Sequence, residues 1–263
     1  MEKRKLKGDP IVIMTAVNKG GCGKTSHTIE MCDVFGQEYK VLGIDLDPQS
    51  NFSMYADVDM VNHKNLKDLL DVNYEDVSEC IQHVGNYDII AGSRDLVHAN
   101  NLYPESDDEY ILQETIELLD YDFIFLDTAP AQTVLSIMGY VAADYVIGIT
   151  EDDDGSIIGL RNVNEDIIKV KKRRNRKLKL LGIVMNKYER SNISTVAYEE
   201  LIDLAEEFGT TVFDTKIRKS KKSSEAKTMR QSVTMYDKRN NIALDEAELK
   251  KEIIKRIKND GRM

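Results

Sequence analysis

The feature that most constrains this chain is a glycine-rich loop set between an apolar run and a helical pattern. The apolar run Ile11–Val17 predicts a buried strand, and Thr25–Gln37 predicts a helix. The loop between them reads Asn18-Lys19-Gly20-Gly21-Cys22-Gly23-Lys24-Thr25-Ser26. Glycines allow successive backbone N–H groups to curve around a phosphate, and the free N–H groups of a helix start favour an anion. Strand, loop and helix in this order predict a site for a nucleoside triphosphate.

The residues of this loop predict specific roles. Lys24 would neutralise the terminal phosphates, and the Thr25 hydroxyl would ligate Mg²⁺. The usual phosphate-loop pattern begins with glycine, whereas this chain has Asn18 there, followed by an additional lysine, Lys19. The other predicted nucleotide-binding residues of the loop are Gly20, Gly21, Cys22, Gly23 and Ser26. The alternative, a glycine-rich turn with incidental lysines, is disfavoured by the flanking strand and helix.

Short apolar runs alternate with longer helical patterns along the 263 residues. The predicted strands are Ile11–Val17, Val41–Asp45, Tyr87–Ala91, Asp122–Asp127, Asp144–Thr150, Leu180–Met185 and Thr211–Ile217. The predicted helices are Thr25–Gln37, Asp107–Asp120, Ser156–Lys172, Ser194–Phe208 and Asp245–Lys258, with one or two short helices within 57–84. Apolar strands separated by helices predict a doubly wound α/β fold of the P-loop NTPase type, with a mostly parallel sheet and helices on both faces. The sequence has no linker or repeat, so we expect one domain over 11–263 after a short basic extension, 1–10.

Two carboxylates follow predicted strands. Asp45 closes the apolar run Val41–Asp45, and Asp127 closes Asp122–Asp127. Because ligands of a parallel sheet bind beyond the carboxyl ends of its strands, both side chains can converge on the glycine-rich loop. A carboxylate there either orders Mg²⁺ through water or orients an attacking water. Each aspartate taken alone could equally be a helix cap or a turn residue.

The charge of the chain limits its partners. The formal net charge is −10, so the average surface repels nucleic acid and anionic lipid, and a DNA contact would need local basic patches. One patch is Lys169–Lys179, where eight of eleven residues are basic, and a second extends from Lys216 to Arg230. The residues predicted to contact DNA phosphates are Lys171, Lys172, Arg173, Arg174, Arg218, Lys221 and Lys222. Solvated helix ends explain such patches equally well, because lysine and arginine favour helix C-termini.

Other features of the sequence favour a cytoplasmic protein. Cys22, Cys32 and Cys80 have no metal-ligand spacing and suit a reducing compartment. The first ten residues are basic, but no apolar stretch follows them, so no secretory signal is expected. No run approaches 18 apolar residues, so no membrane-spanning helix is expected.

Three motifs together resemble the ParA/MinD family of deviant Walker ATPases. They are the loop at 19–26, Ile44-Asp45-Leu46-Asp47-Pro48-Gln49-Ser50-Asn51, and Phe125-Leu126-Asp127-Thr128-Ala129-Pro130. The second motif is most similar to the DNA-partitioning branch, ParA and Soj. Weaker similarity continues at Met185-Asn186-Lys187, Ser224-Glu225-Ala226 and Met235-Tyr236-Asp237, so the resemblance covers nearly the whole chain.

The resemblance implies an ATPase that uses ATP and Mg²⁺ and has weak intrinsic activity. It implies an ATP-sandwich homodimer that binds DNA nonspecifically on the nucleoid and responds to a ParB-like centromere-binding protein. Lys19 would reach across the dimer to the partner's ATP, and Asp45 would help to activate the hydrolytic water. Asp127 would hold Mg²⁺ through water, and Asn186 would lie near the adenine.

The chain departs from the family pattern at two places. Arg218 follows the predicted strand Thr211–Ile217, where the family usually has proline. The loop after Ile149 usually contains proline, and here it reads Glu151-Asp152-Asp153-Asp154. That acidic loop is either a partner surface or a solvated loop.

The alternative function is that of a membrane-cycling positioning ATPase, like MinD. Such a protein needs an amphipathic C-terminal helix, and the segment 249–258 has apolar residues at helical spacing together with a basic face. The stripe is narrow and contains no Trp or Phe, so packing of this helix on the domain is the better explanation. Membrane binding is therefore not expected.

Overall fold

The computed structural model describes residues 5–6, 8–71 and 76–263. Its strands are β1 Ile11–Ala16, β2 Val41–Asp45, β3 Ile81–Val84, β4 Tyr87–Ile90, β5 Phe123–Asp127, β6 Tyr145–Thr150 and β7 Lys179–Met185. Within the described ranges they form one sheet in the order β3-β4-β2-β5-β1-β6-β7, in which β3 is antiparallel to β4 and the other neighbours are parallel. The predicted doubly wound, mostly parallel α/β fold is confirmed.

Helices cover both faces of this sheet. The α-helices are α1 Lys24–Gly36, α2 Asn51–Tyr55, α3 Leu66–Leu69, α4 Ala99–Leu102, α5 Ile111–Glu117, α6 Val134–Ala142, α7 Asp154–Arg173, α8 Asn192–Glu207, α9 Lys222–Thr228, α10 Val233–Tyr236 and α11 Asn241–Asn259. Successive residues of a strand point to opposite faces. Val12 and Met14 therefore pack into the layer of α5, α6 and α7, and Ile11 and Ile13 pack into the layer of α1 and α11. Burial on both faces explains why the central strands are continuously apolar.

The prediction of a strand at Thr211–Ile217 was wrong. This segment runs beside β7 but forms only isolated bridges there within the described residues, Ile183 with Val212 and Tyr188 with Arg218. The guanidinium of Arg256, on α11, donates hydrogen bonds to the backbone carbonyls of Leu181, Thr211 and Val212. The Arg256 side chain thus supplements the few backbone hydrogen bonds that join this segment to β7, such as the one from the Ile183 N–H to the Thr211 carbonyl.

Two smaller differences from the sequence predictions concern short elements. The edge strand β3 was not predicted, because its four residues lack a continuous apolar character. The helix expected over Asp107–Asp120 is confined to α5, which follows a 3₁₀ turn at Asp108–Tyr110. Two short helical elements do lie within 57–84, namely α3 and a 3₁₀ helix at Val77–Cys80, although residues 72–75 lie outside the described ranges.

Buried polar side chains fasten α1 to the C-terminal segment. His27 Nδ1 lies 3.0 Å from the Glu246 carboxylate, and both side chains are buried. The Glu30 carboxylate accepts hydrogen bonds from the backbone N–H groups of Val233 and Thr234 at the start of α10. Burial raises the pKa of Glu30 to about 7. The helix that begins at the glycine-rich loop is therefore coupled directly to α10 and α11.

The last helix packs on the domain, as the sequence predicted. Leu249, Ile253 and Ile257 of α11 are buried in the layer that also contains α1. The apolar stripe of this helix is thus occupied within the fold. No helix among the described residues combines the length and apolar character that crossing a bilayer demands.

Candidate functional site

The glycine-rich loop has a shape that only glycine can adopt at two positions. Gly21 and Gly23 lie at φ +85° and +88°, in the left-handed region where side chains are strained. A Cβ atom at Gly23 would also lie 2.4 Å from Nδ2 of Asn186, whereas a Cβ atom at Gly20 would meet nothing within 4 Å. Gly23 therefore serves both the turn into α1 and the close approach of Asn186.

The loop wraps around Lys24. The Lys24 ammonium donates hydrogen bonds to the backbone carbonyls of Val17 at 3.0 Å and Lys19 at 3.4 Å. Burial lowers the pKa of Lys24, and the negative charge of Asp127 opposes that shift. Lys24 thus lies at the centre of the loop, as the sequence predicted, with a carboxylate close by.

Two adjoining cavities lie against this loop. The loop cavity, about 300 Å³, is lined by residues 20–26 together with Asp47, Gln49, Asn51, Tyr55, Thr128, Pro130 and Lys227. The helix cavity, about 340 Å³, lies between α1 and the segment α9–α11, and its lining includes His27, Glu30, Asn186, Ile217, Arg218, Val233, Ile242 and Glu246. Gly21, Gly23, Ser26 and Lys227 line both cavities. The two cavities therefore adjoin at the glycine-rich loop.

Asn186 and Arg218 both line the helix cavity. The Asn186 amide donates to the carbonyl of Cys22 at 2.8 Å, so this side chain holds the loop as well as forming the wall. Arg218, where the family usually has proline, is held by several hydrogen bonds to Asp245 at 2.6–3.2 Å. An ion pair with Asp245 thus fixes this part of the wall.

Asp45 and Asp127 are both fully buried at neighbouring strand ends. Burial is the main cause that raises the pKa of each carboxyl, and the proximity of Asp45 raises the pKa of Asp127 further. Asp127 Oδ1 accepts a hydrogen bond from the Thr28 hydroxyl at 3.5 Å, and the nearby Thr25 side chain acts to lower the pKa of Asp127. The Oδ2 atom of Asp127 has no hydrogen-bond partner among the described residues. Two confined carboxyls that share a site, one of them unsatisfied, favour a cation.

The structure gives Asp45 and Asp47 different surroundings. The Asp45 carboxylate accepts hydrogen bonds from the Ser53 backbone N–H at 2.9 Å, the Ser53 hydroxyl at 2.7 Å and the Asp47 N–H at 3.2 Å. It does not appear in the lining of the loop cavity, whereas Asp47, two residues further on, does. The carboxylate that faces the loop across this cavity is therefore Asp47, a residue that the sequence analysis did not single out.

Mg²⁺ fits this arrangement through few protein ligands. No group of three or more His, Cys, Asp or Glu side chains with metal-site geometry occurs in the part of the chain that the structure describes. Mg²⁺ commonly keeps several waters and binds one or two protein groups together with substrate phosphates. The Thr25 hydroxyl and the unsatisfied Asp127 carboxylate, which lie together below the loop, are suited to that limited role.

The acidic loop before α7 is bonded to its surroundings. Glu151 pairs with Lys187 at 2.8 Å, and Asp152 accepts a hydrogen bond from the Ser194 hydroxyl. Asp153 forms the N-cap of α7 and pairs with Lys19. Two of the acidic residues, Glu151 and Asp153, therefore neutralise lysines close to the glycine-rich loop, a role that the sequence analysis did not predict.

The two basic patches differ in how much of their charge is free. Five exposed basic residues lie at or just after the last turn of α7, namely Lys171, Lys172, Arg173, Arg176 and Lys177. None of them forms an ion pair with the described residues. Arg174, in contrast, makes a two-pronged ion pair with Glu109. Less of the charge of Arg174 is therefore available to DNA phosphates than the sequence suggests.

The second patch is mostly neutralised. Arg218 pairs with Asp245, Lys222 with Glu225 at 2.7 Å, and Lys219 with Glu189 at 2.8 Å. Lys221 is exposed and forms no ion pair with the described residues. The charge available to an anion on this side of the molecule is therefore much smaller than the sequence suggests.

The two patches also lie at opposite ends of the edge strand β7, which begins at Lys179 in the first patch and ends beside Arg218 of the second. Helix α7 starts beside Lys19 and runs for 20 residues, about 30 Å at 1.5 Å per residue. The cluster at its end therefore lies at the end of the sheet remote from the glycine-rich loop, whereas Arg218 lines the helix cavity. The two patches of one protomer are therefore separate surfaces.

Comparison with known proteins agrees with these motifs. A family profile described as an AAA domain matches residues 11–180. An uncharacterized protein of Mycobacterium tuberculosis is 30% identical over 262 residues, 97% of this chain and 81% of that protein. The chromosome partitioning protein ParA of Caulobacter vibrioides is 26% identical over 241 residues, 88% of this chain and 90% of that protein. Among solved structures, an ATP complex of McdA from Cyanothece has a TM-score of 0.83 at 20% identity, covering 94% of this chain and 97% of that one.

The two glycine positions predict different costs for the same substitution. Gly23→Ala should destabilise the protein without nucleotide by about 1–3 kcal/mol, because the new Cβ atom meets Asn186 and the backbone is left-handed. Gly20→Ala should change stability by less than about 0.5 kcal/mol, because its surroundings are open. Urea unfolding of both variants checks this, and equal destabilisation would show that the loop is not held by Asn186.

Proposed function

The chain belongs to the ParA/MinD family of P-loop ATPases, and we propose that it hydrolyses ATP with Mg²⁺ and uses this cycle to move DNA cargo. The observation that carries the proposal is that Lys24, Thr25 and Asp47 line one cavity, beside a second cavity of suitable size for a nucleoside. The buried Asp127 carboxylate lies close to Lys24 and Thr25. The likeness to ParA of Caulobacter and to the McdA structure with ATP supports it.

In the proposed complex the loop holds the phosphates. The backbone N–H groups of the loop and the Lys24 ammonium would bind the terminal phosphates, and Thr25 with Asp127 would hold Mg²⁺, which neutralises phosphate charge when bound. The nucleoside would extend into the helix cavity past Asn186. Asp47 faces the loop across the cavity, so we assign it, rather than Asp45, to orienting the attacking water.

We further propose that the protein dimerises through ATP. Lys19 is the additional lysine of the loop, and its side chain is partly exposed at the rim while paired with Asp153. In a sandwich of two nucleotide faces, the phosphates of the partner's ATP would compete with Asp153 for this ammonium. Dimerisation and the release of Asp153 are then the same event.

We propose that the protein binds DNA nonspecifically. The proposed contact is the exposed basic cluster at the end of α7, which comprises Lys171, Lys172, Arg173, Arg176 and Lys177. These five exposed cations are free to bind phosphates without reading base sequence, which suits nonspecific binding on the nucleoid. The partner that stimulates hydrolysis would be a ParB-like centromere-binding protein, as for other partition ATPases. The single domain over 11–263 and the cytoplasmic location remain part of this proposal.

The two loop lysines should separate ATP binding from dimerisation. Lys24→Ala should abolish binding of a fluorescent ATP analogue, because the loop loses the cation at its centre. Lys19→Ala should bind the analogue almost normally yet stay monomeric with ATP in light scattering. Each variant is the control for the other, and a Lys19→Ala protein that dimerises with ATP would remove the role of Lys19 across the interface.

Asp47 and Asp45 should differ in hydrolysis. Asp47→Asn should still bind ATP but hydrolyse it more slowly by a factor of about 10³, the scale of a water-positioning group. Asp45→Ala should mainly lower stability, by about 1–3 kcal/mol, because it leaves the buried Ser53 N–H and hydroxyl without their acceptor. Steady-state phosphate release and thermal unfolding of both variants decide the assignment; slow hydrolysis in the Asp45 variant alone would return the role to Asp45.

The free basic cluster makes a prediction about DNA. Binding to a random duplex should weaken with salt, with a log–log slope near −4.5 if about five phosphates are contacted. The double variant Lys171→Glu and Arg173→Glu should abolish binding at 0.15 M salt and leave DNA-free ATP hydrolysis unchanged. The double variant Lys238→Glu and Arg239→Glu makes the same change in net charge at exposed positions elsewhere and should bind normally.

The dependence on ATP distinguishes the two patches. If nucleotide faces meet in the dimer, the ends of the two α7 helices point away from each other, so contact there should depend weakly on ATP. Sharp ATP dependence that is lost on charge reversal at Lys221 and Lys222 would instead place DNA beside the nucleotide. A protein that binds no DNA at low salt would contradict the DNA-cargo proposal and favour a MinD-like role, which vesicle co-sedimentation with ATP tests.

A further inference from the structure

Lys227, on α9, occupies the passage between the two cavities. Its side chain lines both the loop cavity and the helix cavity, a position shared with Gly21, Gly23 and Ser26 of the glycine-rich loop. Because those three residues lie on the loop side of the passage and Lys227 comes from a different element, the cleft is enclosed from two directions there.

The charge of Lys227 is not neutralised by the described residues. Its neighbours along the chain are paired, Lys222 with Glu225 and Arg230 with Asp57, whereas no carboxylate of the described ranges lies within ion-pair distance of Lys227. The Lys227 ammonium lies 5.4 Å from the centre of the Tyr55 ring, and its side chain is only partly exposed.

Keeping this ammonium unpaired is unfavourable in the free protein. Partial burial lowers the pKa of Lys227, and the positive charge of Lys187 lowers it further. A cation in such surroundings gains much from an anion that enters the passage. The loop amides and Lys24 already surround the space where terminal phosphates would lie, so the passage is left for the middle of the nucleotide.

We propose that Lys227 is a nucleotide-binding residue that contacts the α-phosphate, the group between the nucleoside and the terminal phosphates. This inference rests on the proposed function, because it assumes that a nucleoside di- or triphosphate fills both cavities. Lys24 and Lys227 then hold different parts of the same ligand from different elements.

The contact would also close the cleft. Helix α9 reaches α2 through Lys227 above the Tyr55 ring, and the Arg230–Asp57 ion pair joins the residues that follow the two helices. Helix α2 directly follows the segment that carries Asp47. A phosphate bound by Lys227 therefore ties α9, α2 and the loop into one unit around the nucleotide.

The experiment compares ATP, ADP and AMP as competitors of a fluorescent ADP analogue on the full chain. Lys227→Met should weaken all three by a similar factor, about tenfold, because the α-phosphate is common to them. Lys227→Arg should recover most of the affinity by restoring the charge. Lys255→Met is the matched control, since Lys255 is an exposed lysine on the helix α11 and lies outside both cavities.

The outcomes separate this inference from the proposed function. Unchanged affinity in Lys227→Met, with lost affinity in Lys24→Ala, would overturn the role of Lys227 alone. Unchanged affinity in both variants would overturn the nucleotide site itself. A loss confined to ATP would place Lys227 at the γ-phosphate and contradict the proposal. Thermal unfolding without nucleotide should show Lys227→Met to be at least as stable as the parent, and if it does not fold, Lys227→Gln replaces it in the same comparison.

Discussion

The close approach between Gly23 and Asn186 is the contact on which the rest of the site depends. The left-handed backbone at Gly23 directs the chain into α1, and the absence of a side chain lets the Asn186 amide reach the carbonyl of Cys22. Lys187 adds a hydrogen bond to the carbonyl of Gly21 at 2.6 Å. The loop is thus fixed from the end of β7, and the positions of Lys24 and both cavities follow from that fixed shape.

Three elements hold this loop or continue from it, and each contacts the proposed nucleotide site from a different side. Helix α1 carries His27 and Glu30 into the C-terminal segment, the end of β7 carries Asn186, and α7 begins beside Lys19. Asp45 and Asp127 add two buried carboxyls with raised pKa values, an arrangement that costs stability in the free protein. Buried charged groups that lower the stability of the empty site, yet favour a bound cation, are typical of binding sites. They are not typical of a hydrophobic core that serves stability alone.

The sequence was sufficient to predict those parts of the site that are formed by residues close together in the chain. Strand, glycine-rich loop and helix are contiguous, so their fold and the central position of Lys24 could be predicted. Contacts between residues far apart in the sequence could not be predicted. Arg174 pairs with Glu109, 65 residues away, and Arg256 donates hydrogen bonds to the carbonyls of Leu181 and Thr211 beside β7. The choice between Asp45 and Asp47 depended on Ser53, whose hydrogen bonds to Asp45 become visible only in the folded chain.

The separation of charge has a mechanistic consequence. The free cations at the end of α7 lie about 30 Å from the loop by helix length, so ATP cannot contact the proposed DNA site directly. One continuous element joins the two regions: α7 starts at the N-cap Asp153, which pairs with Lys19, and ends at Arg173. Loss of the Lys19–Asp153 ion pair can therefore affect the basic cluster at the end of α7 in two ways. It can move α7 as a whole, or it can change how two protomers are arranged. Since Gly159 allows α7 to pack closely against Val17 and Asn18, a shift of the entire helix would strain the loop itself. Rearrangement of protomers is thus the less costly route. Because the two α7 ends point away from each other when the nucleotide faces meet, we expect this rearrangement to change DNA binding at those ends only weakly.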